Sequence, residues 1–384
     1  MTKIFNAKDK YRTNDMFSKK MENLKPYVPG EQPKDKNYIK LNANENPYPP
    51  PKAVTHAIKK MLGENADKLK LYPDPESVDL KKAYASFLNE CGGTLCSPKK
   101  LSYKLTDKNI FCGNGSDEVL SFIFYAFFDQ ENSVIIPEHT YSFYPVYCSF
   151  YEIPLKKIPL KTDFTVDIPL MIKESQNSSS IILANPNAPT AIAMTNDELC
   201  KILDAYPKDK IFVVDEAYSD FYTESMLQLL PKYENLLIVR TSSKSLSFAG
   251  MRLGFAVGHE KLIDALTTVK NSFNHFPCDR IAQTAGIAAC GELDYYINNA
   301  KKTVDVREKF CTFLKTMGWT FTQSATNFVL AKHPKLTGKM VYEKIKENGI
   351  LVRFFDILGV SDYVRITIGS AEEMEQLKQI IKSL

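Results

Sequence analysis

Six short apolar runs in the middle third of the chain constrain its fold more than any other feature. They are "NIFCGNG" (109–115), "SVIIP" (133–137), "SIILANPN" (180–187), "KIFVVDEAY" (210–218), "LLIVRTSSK" (236–244) and "LGFAVG" (253–258). Each is continuous rather than alternating, as a strand must be when both its faces are covered. The spacers are long enough for helices. Residues 195–207 show a helical apolar stripe, with Thr195 placed to cap it. The pattern predicts an α/β fold, with a large domain over 61–274 built on a mostly parallel central sheet covered by helices. A chain of 384 residues exceeds one small core. The tail reads differently: "TNFVLAK", "ILVRFF" and "YVRITIGS" are strand-like, and "GKMVYEKIKENG" between them is a helix closing on Gly349. A smaller α+β domain over 38–60 and 275–384 is expected, with residues 1–37 an N-terminal arm lacking its own core.

Residues 1–37 carry nine Lys or Arg against five acids, which accounts for the whole formal charge of +4. The acids are interspersed and no block of like charge forms, which argues against nucleic acid as a partner. The longest apolar run, "FIFYAFF" (122–128), is far too short to span a bilayer. Eight cysteines include no CxxC pair and the five histidines are scattered, so no zinc pattern exists. A reduced, cytoplasmic protein is expected.

In parallel sheets ligands sit beyond the carboxyl ends of the strands, and the chemically useful residues stand there. "GNGSDE" runs from a strand through Gly113 and Gly115 straight into a helix, an arrangement of free amides and helix dipole that suits phosphate and equally a plain tight turn. The third glycine of a dinucleotide fingerprint is missing. Asp215 ends a strand, where a carboxylate can cap the chain or hold a pyridinium proton. Lys244 lies among hydroxyls beside a buried run. A lysine so placed has a depressed pKa and can bond covalently to a carbonyl. Arg252 offers a planar fork to phosphate.

Taken in order, "KPYVPG", "LNANENPY", "YPDP", "GNGSDE", "HTYSFYPVY", "NPNAPT", "VVDEAY", "SSKSLSFAGMRLGF", "TNFVL" and "VRITIGS" resemble pyridoxal-phosphate-dependent aminotransferases of the aspartate aminotransferase fold (fold type I). The similarity is greatest to the histidinol-phosphate aminotransferase family. The resemblance implies that Lys244 anchors pyridoxal 5'-phosphate and shuttles a proton, that Asp215 pairs with the ring nitrogen, and that Tyr218 donates to the phenolic oxygen. It places Tyr141 and Asn187 at the ring. Gly115, Ser116, Asp117, Thr241, Ser243 and Arg252 would hold the phosphate, joined by Tyr72 from a second subunit of a homodimer. It assigns Tyr27, Asn44, Asn327, Arg353 and Arg365 to substrate, with Arg365 on the α-carboxylate of glutamate. Histidinol phosphate is the leading substrate, with glutamate (2-oxoglutarate) as the other partner.

The chain departs from the family at "NPNAPTA", where members read NPNNPTG. Ala188 replaces the asparagine that hydrogen-bonds the phenolic oxygen, and Ala191 replaces the glycine. Asn187 could swing in to compensate. The same skeleton allows another phosphorylated three-carbon substrate, such as serinol phosphate with dihydroxyacetone phosphate as its keto form. A phospho-amino-acid decarboxylase is a third reading, and a fold kept without catalysis a fourth.

Overall fold

The computed structural model describes residues 18–22, 24–176 and 180–384. The strands of its first half are β1 (Ile39–Lys40), β2 (Ile110–Asn114), β3 (Val134–Pro137), β4 (Leu155–Ile158), β5 (Ser180–Ala184), β6 (Phe212–Asp215), β7 (Leu236–Thr241) and β8 (Leu253–Gly258). Those of the second are β9 (Thr320–Phe321), β10 (Phe328–Lys332), β11 (Ile350–Leu351), β12 (Arg353–Phe354) and β13 (Tyr363–Thr367).

Seven strands form the central sheet in the order β2-β8-β7-β6-β5-β3-β4. The run from β4 to β7 is parallel, while β8 pairs antiparallel with both β7 and β2. Reversal at β8 leaves β2 pointing the same way as β3, β5, β6 and β7. The carboxyl ends of all five therefore share one edge, and β8 begins at that edge.

Period-two alternation divides the strand side chains between two cores. Phe212 and Val214 fall in one cluster with Leu183 and Ile238; Val213 falls in the other with Ile182 and Val239. Every residue of β6, β7 and β8 is buried, which explains why those runs are apolar up to the polar residues at the ends of β6 and β7. The helix Asn196–Ala205 begins as expected at Thr195, whose side chain accepts from the Glu198 amide while Glu198 reaches back.

The tail builds a four-stranded antiparallel sheet, β12-β13-β10-β9, and β1 pairs in parallel with β11. A third core lies against them, with Leu41, Phe310, Val329, Ile345, Ile366 and Leu377. The 24-residue helix Leu293–Thr316 joins the cores, with Tyr296 and Ala300 in the first and Phe310 and Leu314 in the third. Val54, Cys278, Ala282 and Ala285, which the sequence groups with the smaller domain, pack in the first core. Amphipathic helices show that one face is buried but not against which core.

Candidate active site

Lys244 follows β7 at the shared edge and is half-buried. Its Nζ donates to the Ala43 carbonyl at 3.1 Å. The Asn46 amide donates to the carbonyls of Lys244 (3.0 Å) and Ser245 (3.1 Å), so the loop around "NEN" fixes the lysine backbone. Burial, and then the charge of Arg365, push the Lys244 amine down to about 8.

Asp215 ends β6 and is 5% exposed. Its Oδ2 accepts from the Tyr144 hydroxyl at 2.8 Å and its Oδ1 from the Ala217 amide at 3.1 Å. Burial pushes its carboxyl up to about 6 against those two hydrogen bonds. Tyr144 is fully buried on the helix Tyr144–Tyr151 and was not singled out from sequence; the one signal was a second tyrosine one helical turn beyond Tyr141. Tyr218 follows β6 and lies with its ring centroid 5.9 Å from the Lys244 amine.

Beside them, the helix Gly115–Phe127 starts without a side-chain cap. The Arg252 guanidinium lies beside Gly115 at that start, and Arg252 precedes β8 in the left-handed region (φ 53°). Arg252 pairs with Asp117 at 3.2 Å and reaches Ser243 Oγ at 3.5 Å, and the Tyr141 hydroxyl donates to Asp117 at 2.9 Å. Thr241 Oγ1 accepts from the Ser243 amide at 3.2 Å. Two glycines make this closeness possible. A Cβ on Gly115 would strike the Arg252 guanidinium, and one on Gly254 would strike Gly115 and the Ser116 amide.

A cavity of about 340 Å³ opens over Lys244 and Tyr218, with Tyr27, Tyr141, Arg353 and Arg365 in its wall. Arg353 and Arg365 are direct cross-strand partners, an arrangement that repels unless an anion lies between. Arg365 donates to the Asn42 carbonyl at 3.0 Å, but its buried Nε has no partner among the described residues. Burial lowers its pKa. Arg353 donates to the carbonyls of Val28 and Pro29, both at 3.1 Å, and Tyr27 packs on Phe143 with ring centroids 5.1 Å apart. The arm therefore lies against the cavity mouth.

Other expected residues behave differently. Asn187 gives its amide hydrogens to the His139 carbonyl and Thr190 Oγ1 and accepts from Thr140, all at 2.8 Å, so its side chain is not free to replace the missing one at Ala188. Asn327 donates to the Asn44 carbonyl at 3.0 Å and is absent from the cavity wall. Asn44 lines the cavity, yet its side chain is engaged by Tyr218 and Thr367. Tyr72 is 78% exposed, stacked on Phe276 at 4.5 Å, and is not part of the cavity wall. Among the described residues no cluster of His, Cys, Asp or Glu is placed to hold a metal ion.

Known proteins resemble this chain over nearly its whole length. Histidinol-phosphate aminotransferase of Syntrophus aciditrophicus is 44% identical over 371 residues, covering 96% of this chain and 98% of that one. The enzyme of the same name from Brachyspira hyodysenteriae is 45% identical over 373 residues, covering 96% and 99%. A crystal structure of histidinol-phosphate aminotransferase from Sinorhizobium meliloti in complex with pyridoxal-5'-phosphate superposes with a TM-score of 0.81 over 96% of this chain and 98% of that one; at 24% identity, that likeness speaks for the fold. The family model "Aminotransferase class I and II" matches residues 36–384, and the chain belongs to that family.

Proposed function

We propose that the protein is a pyridoxal-phosphate-dependent aminotransferase that moves an amino group between glutamate (2-oxoglutarate) and a small phosphorylated amino alcohol or ketone, with histidinol phosphate as its substrate. One observation carries the reading: an amine pushed down to about 8 at Lys244 shares a cavity with two arginines, Arg353 and Arg365, that face each other across neighbouring strands. Such a cavity suits substrates that carry a phosphate or a carboxylate beside an amine.

The residues fit the cofactor. Uncapped amides at Gly115 and Ser116, the Ser243 hydroxyl and Arg252 suit its phosphate, with Thr241 supporting Ser243. The Asp215 carboxylate suits a protonated ring nitrogen, and the Tyr218 hydroxyl suits the phenolic oxygen. When bound, pyridoxal phosphate supplies an electron-withdrawing ring through which an amino group passes from one carbon skeleton to another. The chain does the rest. With the cofactor bound, Lys244 Nζ, partly neutral near pH 8, would take up and release the proton that leaves the substrate carbon. Asp215 is charged above about pH 6 and would hold the ring proton of the bound cofactor. Arg365 orients the carboxylate of glutamate, Arg353 and Tyr27 meet the substrate phosphate, and the arm limits water.

The reading includes a cytoplasmic homodimer. No described helix is long and apolar enough to cross a membrane. Leu71, Tyr72 and Phe273 are 59%, 78% and 80% exposed, an apolar surface suited to a second copy that brings Tyr72 to the partner's phosphate site.

A single-turnover spectrum tests the function. The cofactor-loaded protein is mixed separately with histidinol phosphate, serinol phosphate, phosphothreonine and glutamate. Loss of the visible band with both histidinol phosphate and glutamate is the expected result, and Lys244→Ala should show neither band nor turnover. A response to serinol phosphate alone moves the assignment to another three-carbon substrate. A response to phosphothreonine with release of carbon dioxide, and none to glutamate, makes the protein a decarboxylase.

A further inference from the structure

Asn44 is held at every polar atom. Its amide donates to Thr367 Oγ1 at 3.0 Å, its carbonyl accepts from Asn327 at 3.0 Å, its Oδ1 accepts from Thr367 Oγ1 at 3.2 Å, and its Nδ2 donates to the Tyr218 hydroxyl at 2.8 Å. It stands in the left-handed region at φ 56° and is 1% exposed. Proton accounting fixes which way its side-chain amide faces. The buried Thr367 hydroxyl already accepts the Asn44 amide, and Asn44 Oδ1 is the acceptor its own proton has. Reversing the amide would leave that proton buried and unpaired, which structures avoid.

Nδ2 must therefore point at Tyr218, and Tyr218 must accept. The Tyr218 proton then has no acceptor among the described residues and is left for the cavity that Tyr218 lines. A hydroxyl that accepts a hydrogen bond also donates a stronger one. Ala188 lines the same cavity and carries no donor, and Asn187 is engaged elsewhere.

We propose that Asn44 is a positioning residue that aims and strengthens the Tyr218 hydroxyl as the donor to the cofactor's phenolic oxygen, the work that an asparagine at position 188 would otherwise share. The inference rests on the proposed function. Arg365, Lys244 and Asp215 also act on Tyr218, and they are unchanged in every variant below.

The test is the pH at which the visible band of the cofactor-loaded protein changes form. Asn44→Gly keeps the backbone conformation and removes the donor, and should raise that pH by about 0.1–0.7 unit, the cooperative share of one hydrogen bond to a charged oxygen. Asn44→Asp has the same shape but can only accept; it draws the Tyr218 proton away from the cavity and should raise the transition further. Adding Ala188→Asn to Asn44→Gly should bring the transition back down. In a Tyr218→Phe background, Asn44→Gly should have no added effect. An unchanged transition in Asn44→Gly and Asn44→Asp with the band intact overturns the inference, as does full additivity with Tyr218→Phe. Failure of the wild-type protein to develop the band with pyridoxal phosphate sinks the functional reading itself.

Discussion

Replacing Tyr144 by Phe isolates one hydrogen bond at the centre of the site. Tyr144 is fully buried, and its hydroxyl donates to Asp215 Oδ2 at 2.8 Å. The substitution keeps the ring and removes the donor, leaving a buried carboxylate oxygen unpaired. A hydrogen bond to a charged group contributes about 1.5–3 kcal/mol. At about 1.36 kcal/mol per unit, its loss raises the carboxyl by about 1–2 units. Asp215 already stands at about 6 through burial, so the variant should titrate between about pH 7 and 8. The sign for stability follows. A carboxyl raised above its unfolded value costs stability once the pH exceeds its unfolded pKa, and the full cost is reached above its folded pKa. At pH 5 Asp215 is largely protonated in both proteins and the stability difference should be small. At pH 8 the variant should be less stable by about 1–3 kcal/mol. Denaturant unfolding of the cofactor-free protein at the two pH values measures this. The pH midpoint of pyridoxal phosphate affinity should move upward by the same 1–2 units or so. A stability loss equal at pH 5 and pH 8, with an unmoved binding midpoint, would refute the assignment of Tyr144 to the Asp215 charge.

Three further outcomes are expected. Ala191 is buried at φ 64°, where a Cβ is strained, so Ala191→Gly should stabilise the protein by about 1 kcal/mol in denaturant unfolding; a lower midpoint would contradict it. In Gly254→Ala the new Cβ drives Gly115 and Ser116 apart from β8, which should weaken pyridoxal phosphate binding about tenfold or more by fluorescence titration; unchanged affinity would mean the helix start does not hold the phosphate. Arg365→Ala should slow the glutamate half-reaction far more than the phospho-amine half in stopped-flow spectra, and equal damage to both would reassign Arg365.

What could be read from the amino acids depended on what buries them. β5 to β8 were legible because burial on both faces leaves an uninterrupted apolar run. β4, "LKKI", was not; as the outermost strand it carries two lysines, the usual protection of an exposed sheet edge. The reversal of β8 was hidden too, since a strand buried on both faces looks alike in either direction. At the site, Lys244, Asp215, Tyr218 and Arg252 could be placed from motif order, because each follows or precedes a strand at one edge. Tyr144 and the true setting of Asn44 could not, because they act through other side chains, and such contacts form across 71 and 174 residues of sequence. Asn187 stands in the right motif yet turns its amide to His139 and Thr190, a matter of loop geometry that no spacing conveys.

Behind the cavity a buried ionic cluster ties these parts together. Arg240, in β7, pairs with Glu216 at 3.0 Å and Asp220 at 2.9 Å, and all three are at most 6% exposed. Glu216 and Asp220 flank Tyr218 in the loop after β6, and the Ser245 hydroxyl next to Lys244 donates to Asp220. One cation thus connects the strand that leads to Lys244 with the loop that carries Tyr218. Removing a partner from such a group costs about 3–5 kcal/mol, whereas replacing the whole group by apolar residues is often neutral. Stability alone therefore does not require the charges. They fix the position of the loop, because each carboxylate has one geometry in which its hydrogen bonds close. Lys244 is held from both sides as a result, by Asn46 on its carbonyl and by Asp220 through Ser245. Its amine, hydrogen-bonded to the Ala43 carbonyl, is the end of the residue that faces the cavity, which suits the proton transfer proposed for it.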